Sequence, residues 1–269
     1  MGCEADLATD NEFFSAEPRG PILIIREKKQ LTRLAADLPK IDEFYDFHEA
    51  VAKSREIKVL VRFGDPDKRG FTESAAFLCN VLRSREEAKL MNRYFNVINN
   101  HVLALARLDK ITVHADRGQI GMTHLNLSLA YDYRLITEDT IFENAYADIG
   151  LIPKGGGGYF MSRLLGVKKA TEVMLWSRFN AEEALNIGLV DKVVPPDKLE
   201  EAALRVANNY LSQPVAGLLG IRKLLKCDLK ELERGLELED HLIFNRINDP
   251  EFKTAFEGYL CQRAEQISK

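Results

Sequence analysis

The sequence predicts an α/β fold that carries a helical C-terminal region. Short apolar runs rich in β-branched residues alternate with helical stretches as far as Val194, and beyond Pro195-Pro196 the strand signal stops. Residues 1–20 are polar and acidic without a period and read as a loose arm. Pro21–Arg26 (PILIIR) is the first strand. Apolar Ile41, Phe44, Tyr45, Phe47, His48 and Val51, with charges between them, predict an amphipathic helix over residues 41–55. Lys58–Phe63 is the next strand, ended by Gly64-Asp-Pro-Asp. Arg85–Leu108 contains neither Gly nor Pro and reads as a long helix. Ile111–Ala115 and Asp132–Ile136 read as strands, with a helix from Thr123 to Ala130 between them and another from Tyr159 to Leu165 after a glycine run. Residues 1–197 thus form the α/β core, and Lys198–Lys269 reads as three or four helices broken at Pro214 and at Asp249-Pro250.

Composition bounds the function. With 269 residues, 46% hydrophobic and 29% charged, the chain can bury one large core. No apolar run reaches the ~18 residues that span a bilayer, and no charged-then-apolar leader precedes the first strand, so a soluble cytoplasmic protein without a membrane partner is expected. A net charge of -4 and the lack of a basic patch interleaved with aromatics argue against nucleic acid. Cys3, Cys79, Cys227 and Cys261 are scattered, so neither a metal site nor a disulfide framework is expected.

The densest pattern is Phe142–Gly166 (FENAYADIGLIPKGGGGYFMSRLLG) followed by Asn180–Val190. Its glycines Gly155–Gly158 lack the lysine-serine pair of a P-loop, so they fit close backbone approach to a ligand better than nucleotide hydrolysis. Together with Asp132-Tyr-Arg-Leu, Leu164-Leu-Gly166, Gly188-Leu-Val190, Asp249-Pro and Phe256-Glu-Gly-Tyr-Leu, this segment resembles the crotonase (enoyl-CoA hydratase/isomerase) superfamily from about Lys58 to the C-terminus. The resemblance implies a ββα spiral core, an acyl-CoA thioester as substrate, no cofactor beyond that coenzyme A, and a helical tail that assembles a homotrimer or a dimer of trimers.

It also implies an oxyanion hole in which two backbone N–H groups face a thioester oxygen as it becomes enolate-like. By the family pattern those donors are Ala75 and Thr123, with Ser74, Met122, Pro153 and Gly156 lining the substrate site. The two positions where hydratases carry glutamates read Asn126 and Tyr146. Asparagine exchanges no proton, and an ordinary tyrosine, with pKa ~10, is a poor base. Asp148, in a position some dienoyl-CoA isomerase-like relatives use, is therefore the expected proton carrier in an apolar pocket, against a capping role. His124, beside the second donor, is a further acid-base candidate; Glu143 reads as a solvated strand end, and His48, His101, His114 and His241 as structural. Lys68, Arg69 and Lys154 are candidate contacts for the phosphates of coenzyme A. The expected reaction is proton transfer on an enolised thioester, by isomerisation or a variant hydration. Decarboxylation or hydrolysis, and a catalytically degenerate CoA-binding or structural subunit, stay open.

Overall fold

The computed structural model describes residues 7–29, 31–34, 37–65, 72–84, 86–226 and 228–267, with side chains except at 32, 33, 38, 72–74 and 261–267. Its strands are β1 (Thr9–Asp10), β2 (Phe14–Arg19), β3 (Ile22–Glu27), β4 (Val59–Phe63), β5 (Ile111–Asp116), β6 (Gln119–Gly121), β7 (Tyr133–Thr137), β8 (Ile141–Glu143), β9 (Arg178–Asn180) and β10 (Lys192–Val194). The larger sheet has the order β1-β2-β3-β4-β5-β7-β10, antiparallel as far as β3 and parallel beyond it. A small sheet, β6-β8-β9, stands beside it. The helices are α1 (Leu31–Leu34), α2 (Leu38–Lys53), α3 (Thr72–Arg83), α4 (Glu87–Arg107), α5 (Met122–Ser128), α6 (Ala145–Asp148), α7 (Gly157–Leu165), α8 (Val167–Met174), α9 (Ala181–Asn186), α10 (Leu199–Leu211), α11 (Val215–Leu225), α12 (Leu229–Ile247) and α13 (Pro250–Ile267).

The expected loose arm is a correction. From Thr9 onward it forms β1 and β2 and buries Phe13, Phe14 and Ala16. Its acidic character misled because Glu12 and Glu17 pair with Lys29 and Arg19 on the solvent side of the hairpins. The Asn11 side chain accepts from the N–H groups of Phe13 and Phe14 at 2.8 and 2.9 Å and turns β1 into β2. Gly20, at φ 58°, makes the next turn, which a residue with a Cβ adopts only under strain.

The parallel strands are buried on both faces, so their runs are apolar throughout rather than alternating. Val59, Val61, Val113, Ala115 and Leu135 face α10, whose Ala202, Ala203 and Ala207 let the helix lie close. Leu23, Ile25 and Leu60 face the opposite layer, to which α4 contributes the stripe Met91, Tyr94, Phe95, Ile98, Val102 and Leu105. Asp132, of the Asp132-Tyr-Arg-Leu motif, accepts from Thr112 and from Arg222 of α11, and Arg222 in turn caps the Leu105 carbonyl at 2.7 Å. That motif therefore joins the tail to the core. In the tail the prolines act as expected: Pro214 precedes α11 and Pro250 opens α13. Phe252 and Phe256 are buried and stacked, which makes them core rather than an assembly face.

On the α2/α4 side of the sheet lies a polar cluster. Arg62 donates to Glu27 at 2.6 Å, both nearly inaccessible, and His124 Nε2 stands 3.4 Å from the second Glu27 oxygen. His48 donates from Nδ1 to the Phe44 carbonyl, and its ring lies 5.5 Å from that of His101. Burial, and then the Arg62 charge, lower the His48 pKa to about 4 and hold His101 well below its usual value. In the unfolded chain both rings protonate below about 6.5. The unfolded state then binds more protons than the folded state between those values, so stability falls as pH drops from about 6.5 to about 4. Urea midpoints across this window should fall more steeply for the wild type than for His48→Gln; equal slopes would show that His48 does not carry the effect.

Candidate active site

Two glycines of the run, Gly155 and Gly157, sit where helix α5 leaves no room for side chains. A Cβ on Gly157 would lie 2.5 Å from Asn126 Nδ2, and one on Gly155 would lie 3.1 Å from Asn126 Cβ and 3.3 Å from the Thr123 carbonyl. Asn126, fully buried, donates from Nδ2 to the Lys154 carbonyl at 3.1 Å. It is a clamp between α5 and the loop at a position where the resemblance puts a catalytic residue. Gly157→Ala is expected to cost about 1–3 kcal/mol, because neither partner can retreat from a packed contact. A urea midpoint matching the wild type would contradict the clamp.

The other side of the loop is held from α12. Glu239 Oε2 accepts from the N–H groups of Gly155 and Gly156 at 3.1 and 3.0 Å and from Lys154 Nζ at 3.3 Å, while Lys154 also reaches Asp240 at 2.8 Å. Burial raises the Glu239 pKa, and Lys154 with the two N–H groups offsets part of that rise. Lys154 is only 1% exposed, so it is no surface contact for coenzyme A phosphates. A lysine in a loop reads as solvated in sequence, and only the fold supplies its two carboxylate partners.

Beside Lys154 is a narrow cavity lined by Phe77, Leu78, Met91, Tyr94, Tyr146, Leu151, Ile152 and Ile243. Its polar end is a chain of hydroxyls. Thr123 Oγ1 donates to Tyr146 Oη at 2.9 Å, and Thr123 is also a hydrogen-bond partner of Tyr94. Burial, and then the neighbouring Tyr146, hold Tyr94 well above the usual phenol pKa, so Tyr94 stays a neutral O–H. Thr123 is the second residue of α5, a position whose backbone N–H has no intrahelical partner. Tyr94 escaped the sequence reading because its place on the apolar stripe of α4 looks like any core aromatic.

The remaining candidates separate. Asp148 ends the short helix α6 exposed to solvent, and it does not line the cavity. The expected carboxylate in an apolar pocket is thereby overturned: α6 turns Tyr146 inward and leaves Asp148 outside. His124 points to Glu27 in the polar cluster and does not line the cavity. Ala75, the first expected oxyanion-hole donor, lies within helix α3, and Ser74 precedes it in the same helix. Met122 and Pro153 are buried beside the clamp, and Gly156 spends its N–H on Glu239. Lys68 and Arg69 lie outside the described residues. At the carboxyl ends of β3, β4 and β5 a separate groove of about 510 Å³ carries Arg26, Lys28 and Arg117 together with Glu27, Asp116, Asp197 and Glu200. Crevices at strand carboxyl ends are where open parallel sheets hold ligands.

Comparison with known proteins agrees with this architecture. The family model described as "Enoyl-CoA hydratase/isomerase" matches residues 41–268. The chain is 29% identical over 191 residues to the trans-2-decenoyl-(acyl-carrier-protein) isomerase of Streptococcus mutans, a match covering 68% of this chain and 70% of that protein. It is 27% identical over 227 residues to the short-chain-enoyl-CoA hydratase of Clostridium acetobutylicum, covering 82% and 84%. The crystal structure of an enoyl-CoA hydratase from Bacillus halodurans superposes with a TM-score of 0.77 at 21% identity, covering 91% of this chain and 99% of the other.

Proposed function

Because the chain belongs to the enoyl-CoA hydratase/isomerase family and is an acyl-CoA-processing enzyme of that type, we propose that its reaction is double-bond isomerisation through a thioester enolate, with Tyr146 carrying the proton. The observation that carries this reading is the setting of the Tyr146 oxygen. It lines the cavity and accepts a hydrogen bond from Thr123 Oγ1. A hydrogen bond donated to a phenol oxygen favours its anion. As phenolate, Tyr146 removes the proton from the α-carbon; the Thr123 N–H stabilises the enolate oxygen; the phenol then returns the proton at the far end of the allylic system. Hydration is disfavoured, because Asn126 is committed to the loop and no carboxylate among the described residues lines the cavity to activate a water. The S. mutans relative, named as an isomerase, supports the same choice.

In this reading the phosphates of coenzyme A meet Arg26, Lys28 and Arg117 at the strand-end groove, and no group beyond the substrate's own coenzyme is needed. No helix among the described residues is long and apolar enough to cross a membrane, and the reading places the enzyme in the cytoplasm with its substrate. Homotrimer formation is supported by apolar side chains left exposed on the tail: Ile221, Leu224 and Leu225 of α11 and Leu238 of α12. The test is a turnover panel of 3-enoyl-CoA, 2-enoyl-CoA and malonyl-type CoA thioesters. Isomerisation of the first with little hydration of the second is the expected pattern; dominant hydration or decarboxylation would overturn it.

A further inference from the structure

We infer that the acyl subsite admits only short acyl groups, with Phe77 and Ile243 as the side chains that set the limit. The inference rests on the reading of the Tyr146 cavity as the acyl site. That cavity has about 20 Å³ of space for a water centre, room for about one water molecule. With the carbonyl at Thr123 and the α-carbon at Tyr146, such a void receives about one further carbon before the chain presses on the far wall.

The walls come from separate elements, and most are fixed by packing. Leu78 of α3, Met91 of α4, Leu151 of the loop and Ile243 of α12 are buried, and half-buried Phe77 closes the side toward Tyr94, its ring centroid 4.8 Å from that of the tyrosine. Ile243 stands one helical turn beyond Glu239 on α12. Because Glu239 holds the N–H groups of Gly155 and Gly156, α12 cannot swing outward to lengthen the cavity without releasing the glycine loop. A longer chain must therefore displace packed side chains, which protein interiors resist. The cavity thus sets this chain apart from its S. mutans relative, whose name specifies a decenoyl group.

Isothermal titration of the full-length protein with free coenzyme A, acetyl-CoA, butyryl-CoA, octanoyl-CoA and decanoyl-CoA tests this. Octanoyl- and decanoyl-CoA are expected to bind about tenfold or more weakly than butyryl-CoA. Ile243→Ala and Phe77→Ala should each narrow that gap, with free coenzyme A binding unchanged. Wild-type affinity for octanoyl- or decanoyl-CoA equal to or above that for butyryl-CoA overturns the limit while leaving the acyl-CoA reading intact. Binding of coenzyme A without any gain from an acyl group overturns the assignment of the cavity, and binding of no ligand in the series overturns the acyl-CoA reading itself. If Ile243→Ala does not fold, Ile243→Val takes its place, and the wild-type series alone still decides the limit.

Discussion

Tyr146→Phe is expected to lower isomerase turnover by ~10²-fold or more, the scale of losing a general acid-base group, while acyl-CoA affinity stays within a few-fold. The substitution removes one oxygen and leaves the ring in the cavity wall, so packing and the Thr123 N–H are retained. Asp148→Asn should leave turnover near the wild-type level, because that carboxylate is exposed and does not line the cavity. Steady-state kcat and KM for both variants check this pair of expectations. A Tyr146→Phe enzyme with wild-type kcat, or an Asp148→Asn enzyme without activity, would return the proton transfer to the carboxylate.

The largest expected effect on stability comes from Glu27→Ala. Glu27 and Arg62 are paired at 2.6 Å in the polar cluster, and removing one partner leaves an uncompensated buried charge, a loss of about 3–5 kcal/mol. For a domain of this size that corresponds to a drop in Tm of roughly 10 °C. Burial alone would raise the Glu27 pKa, but Arg62 and then His124 outweigh it and hold the carboxyl well below its usual range. The stabilisation is therefore fully present above the ordinary glutamate pKa of about 4.5 and is lost as pH falls through the lower folded value. Replacing both partners with Leu and Met should recover most of the loss, because well-packed apolar residues can substitute for a buried pair. A single variant that melts within about 2 °C of the wild type would mean that the cluster contributes little.

How far the sequence was legible depended on whether a feature was local. The parallel strands and the long helix α4 announce themselves through period and β-branching, and Pro214 and Pro250 mark the tail helices. The β1-β2 hairpin was not legible, because Glu12 finds its cation, Lys29, only across the β2-β3 turn. In the site, the motif pattern groups Thr123, Asn126, Tyr146 and the glycines, which the fold brings into contact with one another. What it could not give was direction. Asn126 turns to the Lys154 carbonyl, Asp148 to solvent and His124 to Glu27, and each orientation is set by residues distant in sequence. Tyr94, Lys154 and Glu239 took their roles from contacts of the same long-range kind.

The most direct test of enolate chemistry at Tyr146 is turnover of 3-butenoyl-CoA in D₂O, followed by mass spectrometry and NMR of the product. The expected result is 2-butenoyl-CoA from the wild type, carrying solvent deuterium at C4 only to the extent that the Tyr146 phenol exchanges before it returns the proton taken from C2, and almost no 2-butenoyl-CoA from Tyr146→Phe. A 3-hydroxybutanoyl product, or undiminished 2-butenoyl-CoA formation by Tyr146→Phe, would contradict it.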